Sequence, residues 1–270
     1  MRKILLLLTF LVTLITLVAA QKQYVLASRH ISKADTVWVF TPSDYTANST
    51  KQYPLIYLLQ GWSGTYHQWN DIMDCQSYAD RYGFIIVCPD ALYDSWYINS
   101  PAIEQSQYAD FFFMDLMPFA AKTYRVDSEN VFITGLSMGG HGALYLFEQK
   151  PELFRSAGSL SGLLDLSTSR NEYEISKYLG IDDKSDTKKL KAYSVIGNIE
   201  KIAQSGKEII FSCGTSNQFY SINNEFRVKC DELKIKATYI SSPGAHNYDY
   251  WKSAIAYQFE FFSKKISAQK

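Results

Sequence analysis

Neither sign of charge is in excess in this sequence. Its 270 residues include 27 lysine plus arginine and 27 aspartate plus glutamate residues. The chain has no long basic stretch, so we expect neither nucleic acid nor an anionic membrane as a partner. It also has no internal repeat, low-complexity tract or Pro/Gly/Ser-rich linker. Because α/β folds often exceed the usual domain length of about 150 residues, residues 21–270 are predicted to form one domain.

Long apolar runs are absent after the first 20 residues. At the start, Arg2 and Lys3 precede an apolar run over residues 4–18, and Ala19 and Ala20 follow it. This is the layout of a secretory signal peptide, and the run is shorter than the ~20 residues that span a bilayer comfortably. We therefore predict cleavage near Ala20, a secreted or periplasmic protein, and no membrane association after cleavage.

Cysteine is scarce, and the spacing of the four residues matches no zinc or haem pattern. Two of them end apolar, strand-like runs, where a free cysteine behaves as a small hydrophobic residue. We predict buried thiols and no metal site. Export leaves a disulfide open, but the sequence does not assign its partners. The four cysteines are Cys75, Cys88, Cys213 and Cys230.

Short apolar runs alternate with helical patterns, which predicts an α/β fold with a mostly parallel sheet flanked by helices. The predicted strands are Thr36–Phe40, Leu55–Leu59, Phe84–Cys88, Val131–Leu136, Ala157–Leu160, Glu208–Cys213 and Ala237–Ile240. The predicted helices are Tyr66–Tyr82, Gln107–Thr123, Met138–Gln149, Phe219–Leu233 and Asn247–Ser263. A small insertion around residues 165–206 interrupts this rhythm, where it would partly roof a pocket at the strand ends.

One segment carries a nucleophile motif. In NVFITGLSMGGHGALYLF, an apolar strand runs into Gly135-Leu-Ser137-Met-Gly139 and a helix starts at once. This is the strand, elbow and helix order of the G-x-S-x-G motif, in which a tight turn lifts the serine above the sheet. The two glycines remove side chains that would collide across the turn. Ser137 is therefore the candidate nucleophile.

A serine nucleophile needs a base, and the chain has only four histidines. His30 and His67 lie in polar segments and are expected at the surface, while His141 is expected to pack on its own helix. His246 follows the last predicted strand and precedes the final helix. A histidine in the last loop is what the hydrolase order of serine, acid and histidine requires, so His246 is the candidate base.

Five segments, in order along nearly the whole chain, carry a family resemblance. They read YPLIYLLQGWSGTYHQW from Tyr53, PDALYDSWYINSP from Pro89, GLSMGGHGAL from Gly135, CGTSNQFY from Cys213 and PGAHNYDYW from Pro243. Together they resemble the esterase D family of α/β-hydrolases. That family includes S-formylglutathione hydrolases, tributyrin-type esterases, feruloyl and acetylxylan esterases, and mycolyltransferases. The resemblance implies the α/β-hydrolase fold, an acyl-serine intermediate and no cofactor.

Carried over by motif, Ser137 resembles the nucleophile and His246 the base. The backbone amides of Trp62 and Met138 resemble the oxyanion hole. Relatives often have His-Gly where this chain has Gln60-Gly61, which changes how the oxyanion loop is braced. They also have aspartate where this chain has Asn217, in the position that resembles the triad acid.

An asparagine in the acid position leaves three alternatives. Asn217 supports slow acyl transfer by presenting its carbonyl oxygen to His246, or Asp165, after the preceding strand, replaces it as the acid. In the third alternative activity is lost, and the protein binds an acylated or glycan ligand. The intact serine and histidine motifs favour a serine carboxylesterase of modest activity on short-chain or carbohydrate-linked esters, with acyl transfer as a further alternative.

Overall fold

The strands form one eight-stranded, mostly parallel sheet. The computed structural model describes residues 21–48, 50–181 and 186–266, so the predicted signal peptide over residues 1–20 lies outside the described residues. The strands are β1 (Gln21–Leu26), β2 (Asp35–Phe40), β3 (Tyr53–Leu59), β4 (Ile85–Pro89), β5 (Val126–Gly135), β6 (Ser156–Leu160), β7 (Ile209–Gly214) and β8 (Ala237–Ser242). Their order is β1-β2-β4-β3-β5-β6-β7-β8. The β1–β2 and β2–β4 pairs are antiparallel and the others parallel, so the predicted sheet is confirmed.

Helices occupy the connections between the parallel strands. They are α1 (Gln68–Ile72), α2 (Cys75–Tyr82), α3 (Tyr108–Phe111), α4 (Met117–Thr123), α5 (Met138–Gln149), α6 (Ile175–Leu179), α7 (Thr187–Tyr193), α8 (Ile199–Ser205), α9 (Tyr220–Glu232) and α10 (Tyr248–Ser263). A π-helical turn, Phe112–Leu116, joins α3 to α4. The predicted insertion lies between β6 and β7 and contains α6, α7 and α8.

Two helix predictions and one strand need correction. The helix predicted over Tyr66–Tyr82 is two helices, because Met73 is extended and the Asp74 side chain caps α2 by accepting from the Ser77 amide. The helix predicted over Gln107–Thr123 contains the π-helical turn. Strand β1 was not predicted, since it pairs only with β2 at the sheet edge and most of its side chains are exposed.

The sheet separates two hydrophobic cores, as the two-residue period of a strand requires. In β3, Leu55, Tyr57 and Leu59 face the core that contains α5, α8 and α9. Ile56 and Leu58 face the opposite core, which contains α1, α2 and α10. Both faces of the central strands are therefore buried, which is why these strands read as continuous apolar runs.

All four cysteines are free and buried, as predicted. No helix among the described residues is long and apolar enough to cross a membrane.

A buried carboxyl group at the start of β2 should make folding stability depend on pH. Burial raises the pKa of Asp35 to about 7 from an ordinary value of 3.8, although the group accepts hydrogen bonds from the Asp90 amide and the Tyr108 hydroxyl, each at 3.0 Å. The folded state then binds this proton more tightly than the unfolded state does. The contribution of Asp35 to the free energy of unfolding is therefore complete below about pH 4 and is lost as the pH rises to about 7. The shift corresponds to about 4 kcal/mol.

Urea unfolding of wild type and Asp35→Asn between pH 4 and pH 8 measures this contribution. We expect the wild-type free energy of unfolding to fall relative to the variant as the pH rises through this window, because the amide does not titrate. A constant difference between the two proteins would contradict the assignment.

Candidate active site

Ser137 lies on a sharp turn between β5 and α5. Its φ of 54° and ψ of −118° are strained for a residue with a side chain. The Ser137 amide donates to the Leu160 carbonyl at 2.9 Å, which ties the turn to the neighbouring strand. Gly139 has no room for a side chain, because a Cβ there would overlap the carbonyl oxygens of Leu59 and Gln60. The Gly-x-Ser-x-Gly spacing is thus a steric requirement of the turn.

His246, in the loop between β8 and α10, contacts the serine. Its Nε2 lies 2.8 Å from Ser137 Oγ. The imidazole is held between the rings of Phe219 and Trp251, with centroids 5.0 and 4.9 Å away and both rings nearly perpendicular to it. Burial lowers the pKa of His246 to about 4, so the ring is neutral at pH 7 and one of its nitrogens can accept a proton.

Asn217 lies on the other side of the imidazole. Its Nδ2 is 3.0 Å and its Oδ1 is 3.2 Å from His246 Nδ1. The Phe219 amide donates to Oδ1 at 2.9 Å, which identifies that atom as the carbonyl oxygen. The nearer contact with the imidazole is therefore made by the NH₂ group, which can only donate.

The shorter of these two contacts favours one histidine tautomer. If Asn217 Nδ2 donates to Nδ1, the ring proton must be on Nε2, where it points at Ser137 Oγ. A general base needs the opposite arrangement, with Nδ1 protonated and Nε2 free to accept the serine proton. His246 forms no ion pair among the described residues, so no carboxylate in that part of the chain offsets the effect of the amide.

The alternative acid, Asp165, hydrogen-bonds to two serines, one in its own turn and one after α7. Its Oδ1 accepts from the amide and hydroxyl of Ser167 at 2.9 and 2.6 Å, and from the Ser194 hydroxyl at 3.3 Å. In the described part of the chain it forms no hydrogen bond with His246. The structure brings Ser137, His246 and Asn217 together in one line, and Asp165 is not part of that line.

Two backbone amides at this site have no acceptor among the described residues. They belong to Trp62, in the loop after β3, and Met138, the first residue of α5. The β3 loop passes directly beside the nucleophile, since a Cβ on Gly61 would lie 3.4 Å from Ser137 Cβ. Free amides near a serine can stabilise an oxyanion without reorganisation.

The buried Gln60 side chain braces this loop from inside. Its Nε2 donates to the carbonyl of Gly64 at 3.0 Å and also to the carbonyl of Asp90. The backbone carbonyl of Gln60 accepts from the Tyr97 hydroxyl at 3.0 Å. Tyr97 belongs to a loop after β4 in which five non-glycine residues have positive φ, and such strain is concentrated at functional sites. The sequence marks this loop through the segment PDALYDSWYINSP, which carries the family resemblance, but it assigns none of the loop's residues a role in the site.

The other histidines have structural surroundings. His141 is fully buried on α5, as predicted, and its Nε2 contacts the Tyr193 carbonyl at 2.9 Å. His30 and His67 were expected at the surface, but both are half-buried. His30 lies 4.0 Å from the Asp110 carboxylate, and the His67 ring packs against the Trp38 ring. None of these side chains replaces His246.

One cleft borders the imidazole directly, and a second is connected to it only through the Phe219 ring. The first, of about 690 Å³, is lined by His246 itself and includes Gln68, Asp71, Tyr248, Asp249 and Trp251. The second, of about 470 Å³, is lined by Phe219, whose ring packs on His246, and includes Glu172, Tyr173 and Glu225. The insertion reaches the site through Tyr173, whose ring is 5.5 Å from the ring of Trp62. In the part of the chain that the structure describes, no group of three or more His, Cys, Asp or Glu side chains could hold a metal ion.

Comparisons with known proteins agree on one family. The family model described as "Putative esterase" matches residues 28–262. An acetyl esterase of Caldicellulosiruptor saccharolyticus is 23% identical over 263 residues, which cover 88% of this chain and 96% of the relative. The S-formylglutathione hydrolase of Mus musculus is 24% identical over 241 residues, which cover 80% and 84%.

Solved structures show the same fold. The serine hydrolase FphF of Staphylococcus aureus, a fluorophosphonate-binding protein solved with substrate bound, superposes with a TM-score of 0.79. The two chains are 19% identical, and the match covers 90% of this chain and 98% of the other. The predicted α/β-hydrolase fold is confirmed.

Proposed function

The chain belongs to this esterase family, an esterase D-like group of α/β-hydrolases, and on that premise we propose that it is a serine carboxylesterase that works through an acyl-serine intermediate. The observation that carries the proposal is the 2.8 Å contact between His246 Nε2 and Ser137 Oγ on a strained elbow. An ordinary glycine-rich turn is not expected to place its serine in hydrogen-bonding contact with a histidine 109 residues away.

Each residue has one proposed role. Ser137 Oγ attacks the ester carbonyl while His246 Nε2 takes its proton, and the resulting oxyanion accepts hydrogen bonds from the amides of Trp62 and Met138. His246 then protonates the departing alcohol, which leaves the acyl group on Ser137. Water, activated by His246, hydrolyses that ester. One oxyanion donor of this kind commonly contributes about 3 kcal/mol to barrier lowering.

Asn217 is the proposed third member, and it should make the enzyme slow. In a serine protease, replacing the triad aspartate by asparagine lowers kcat by about 10⁴, because the histidine is held in the wrong tautomer. The 2.9 Å bond from the Phe219 amide favours the same tautomer here. The tautomer with the proton on Nδ1 instead of Nε2, in which Asn217 Oδ1 accepts from Nδ1 at 3.2 Å, is the proposed productive minor state.

The proposed substrates are short-chain or carbohydrate-linked acyl esters. Relatives named acetyl esterase and S-formylglutathione hydrolase support small acyl groups. Water and an acceptor alcohol compete for the same acyl-serine, so product analysis with added alcohol separates a hydrolase from an acyltransferase. Secretion is also proposed, from the signal-like segment before Gln21.

Covalent labelling tests the proposal directly. We expect a fluorophosphonate probe to label the native protein on Ser137, because the probe reacts with serines activated by a neighbouring base. Peptide mapping by mass spectrometry identifies the residue, and Ser137→Ala is the matched control. The same peptide mapping tests signal cleavage: when a bacterial host exports the protein, the N-terminal peptide should begin at Gln21.

Turnover of p-nitrophenyl acetate and butyrate completes the test. Wild-type rates that equal those of Ser137→Ala, together with no labelling, would overturn the enzyme and leave a protein that binds an acylated or glycan ligand. A mature chain that still begins at Met1 would overturn the signal peptide alone.

A further inference from the structure

The cleft at His246 and the cleft at Phe219 share an unusual charge pattern. Asp71 and Asp249 line the first cleft, and Glu172 and Glu225 line the second. In the described part of the chain, no lysine or arginine lines either one. Within residues 21–48, 50–181 and 186–266, none of the four carboxylates forms an ion pair. Any substrate group that enters either cleft therefore meets carboxylates that have no cation within ion-pair distance, although Glu225 also borders a neighbouring cleft lined by Lys188, Lys191 and Lys229.

The first cleft adds aromatic surface to this charge. Tyr248 is 45% exposed, its ring is 5.9 Å from that of Trp251, and the Trp251 ring lies against His246. Gln68 Nε2 lies 3.4 Å from the Tyr248 hydroxyl and its Oε1 accepts from the Gly61 amide, which links the tyrosine to the oxyanion loop. Aromatic faces next to carboxylates attract cationic groups by two independent electrostatic effects.

From this charge pattern we infer that the site selects esters by the charge of the leaving group, accepting neutral and cationic alcohols or thiols and rejecting anionic ones. The inference rests on the proposed esterase function, and it does not depend on which cleft holds the leaving group, because both have the same sign. On this inference, the leaving-group preference of this chain differs from that of any enzyme whose thiol product carries several carboxylates, as glutathione does.

Three thioesters of similar size but different charge test the inference. Acetylthiocholine is cationic, 3,3-dimethylbutyl thioacetate is its neutral isostere, and S-acetyl-3-mercaptopropionate is anionic. Released thiol is measured with a chromogenic disulfide. At low ionic strength we expect kcat/KM to be about 10- to 100-fold higher for the cationic than for the anionic ester. In solvent, one carboxylate at 4–10 Å raises kcat/KM of the cationic ester and lowers that of the anionic ester, each by roughly several-fold. The ratio should fall in ~0.5 M salt.

Charge-removing variants show whether the named carboxylates cause the ratio. Asp71→Asn combined with Asp249→Asn should reduce the ratio several-fold. Glu172→Gln combined with Glu225→Gln tests the second cleft in the same way. Glu232→Gln, an exposed charge at the end of α9 that lines neither cleft, is the matched control.

The outcomes distinguish this inference from the function on which it rests. If the neutral thioester is hydrolysed with no dependence on leaving-group charge, or if both double variants keep the wild-type ratio, the inference is wrong and the esterase stands. If no thioester or aryl ester is hydrolysed above the Ser137→Ala rate, the esterase proposal itself fails.

Discussion

Replacing Asn217 by aspartate is expected to raise kcat/KM for a neutral ester by about 10³ to 10⁴. The two side chains have the same shape, so the Phe219 amide can still donate to Oδ1 at 2.9 Å. The second carboxylate oxygen would then occupy the present position of Nδ2, 3.0 Å from His246 Nδ1. An acceptor there requires the imidazole proton on Nδ1, which frees Nε2 to take the proton of Ser137.

The same substitution should change the pH dependence of activity. The pKa of His246 is about 4 because burial disfavours the imidazolium and no carboxylate stabilises it. A carboxylate within hydrogen-bonding distance favours the charged ring, so the acid limb of the profile should move to higher pH in the variant. The gain at neutral pH reflects both the corrected tautomer and a stabilised imidazolium in the transition state.

Steady-state rates of p-nitrophenyl acetate hydrolysis from pH 4 to pH 9 measure both effects. Asn217→Ala controls for loss of the amide without a new charge, and Asp165→Asn tests the relocated acid. Asn217 is only 5% exposed, so a buried carboxylate should lower stability, and thermal unfolding of each variant checks for that loss. No gain in a folded Asn217→Asp protein would show that the amide is not what limits the rate. Loss of activity in Asp165→Asn would instead support the alternative in which Asp165 is the triad acid.

The sequence predicts the members of this site better than their hydrogen bonds. The G-x-S-x-G motif and chain order proposed Ser137 and His246, which the structure places 2.8 Å apart, because a strand, an elbow and a last-loop histidine have few alternatives in an α/β sheet. The direction of the Asn217 amide could not be predicted, since it depends on the Phe219 amide, a backbone donor set by the shape of the loop. The same limit applies to Asp165, whose spacing after β6 fits an acid although its side chain hydrogen-bonds to Ser167 and Ser194.

The sequence-based predictions of the α1–α2 break and of strand β1 failed for comparable reasons. Asp74, which caps α2, is a local indication of the break between α1 and α2. The periodic apolar residues over Tyr66–Tyr82 nevertheless favoured one continuous helix. Strand β1 had almost none, since an edge strand with exposed side chains shows weak alternation. The central strands were found because burial on both faces leaves a continuous apolar run.

The cost of removing the nucleophile should depend on residue 217. With asparagine there, Ser137→Ala is expected to reduce kcat by only about 10², whereas in the Asn217→Asp background the same change should reduce it by about 10⁶. Catalytic residues that act as a unit are strongly non-additive: loss of the serine alone costs nearly as much as loss of all three, and loss of the acid alone about 10⁴. Wild type already lacks the acid, so most of what Ser137 can contribute is not realised.

Four proteins complete this double-mutant cycle: wild type, Ser137→Ala, Asn217→Asp and the double variant. The two alanine proteins should have equal residual rates, because without Oγ the tautomer of His246 no longer matters and only the amides of Trp62 and Met138 act on the substrate. A coupling of 10⁴ corresponds to about 5.5 kcal/mol. Equal costs of Ser137→Ala in both backgrounds would mean that Asn217 and Ser137 act independently, and the aligned Ser137, His246 and Asn217 would then not be a catalytic unit.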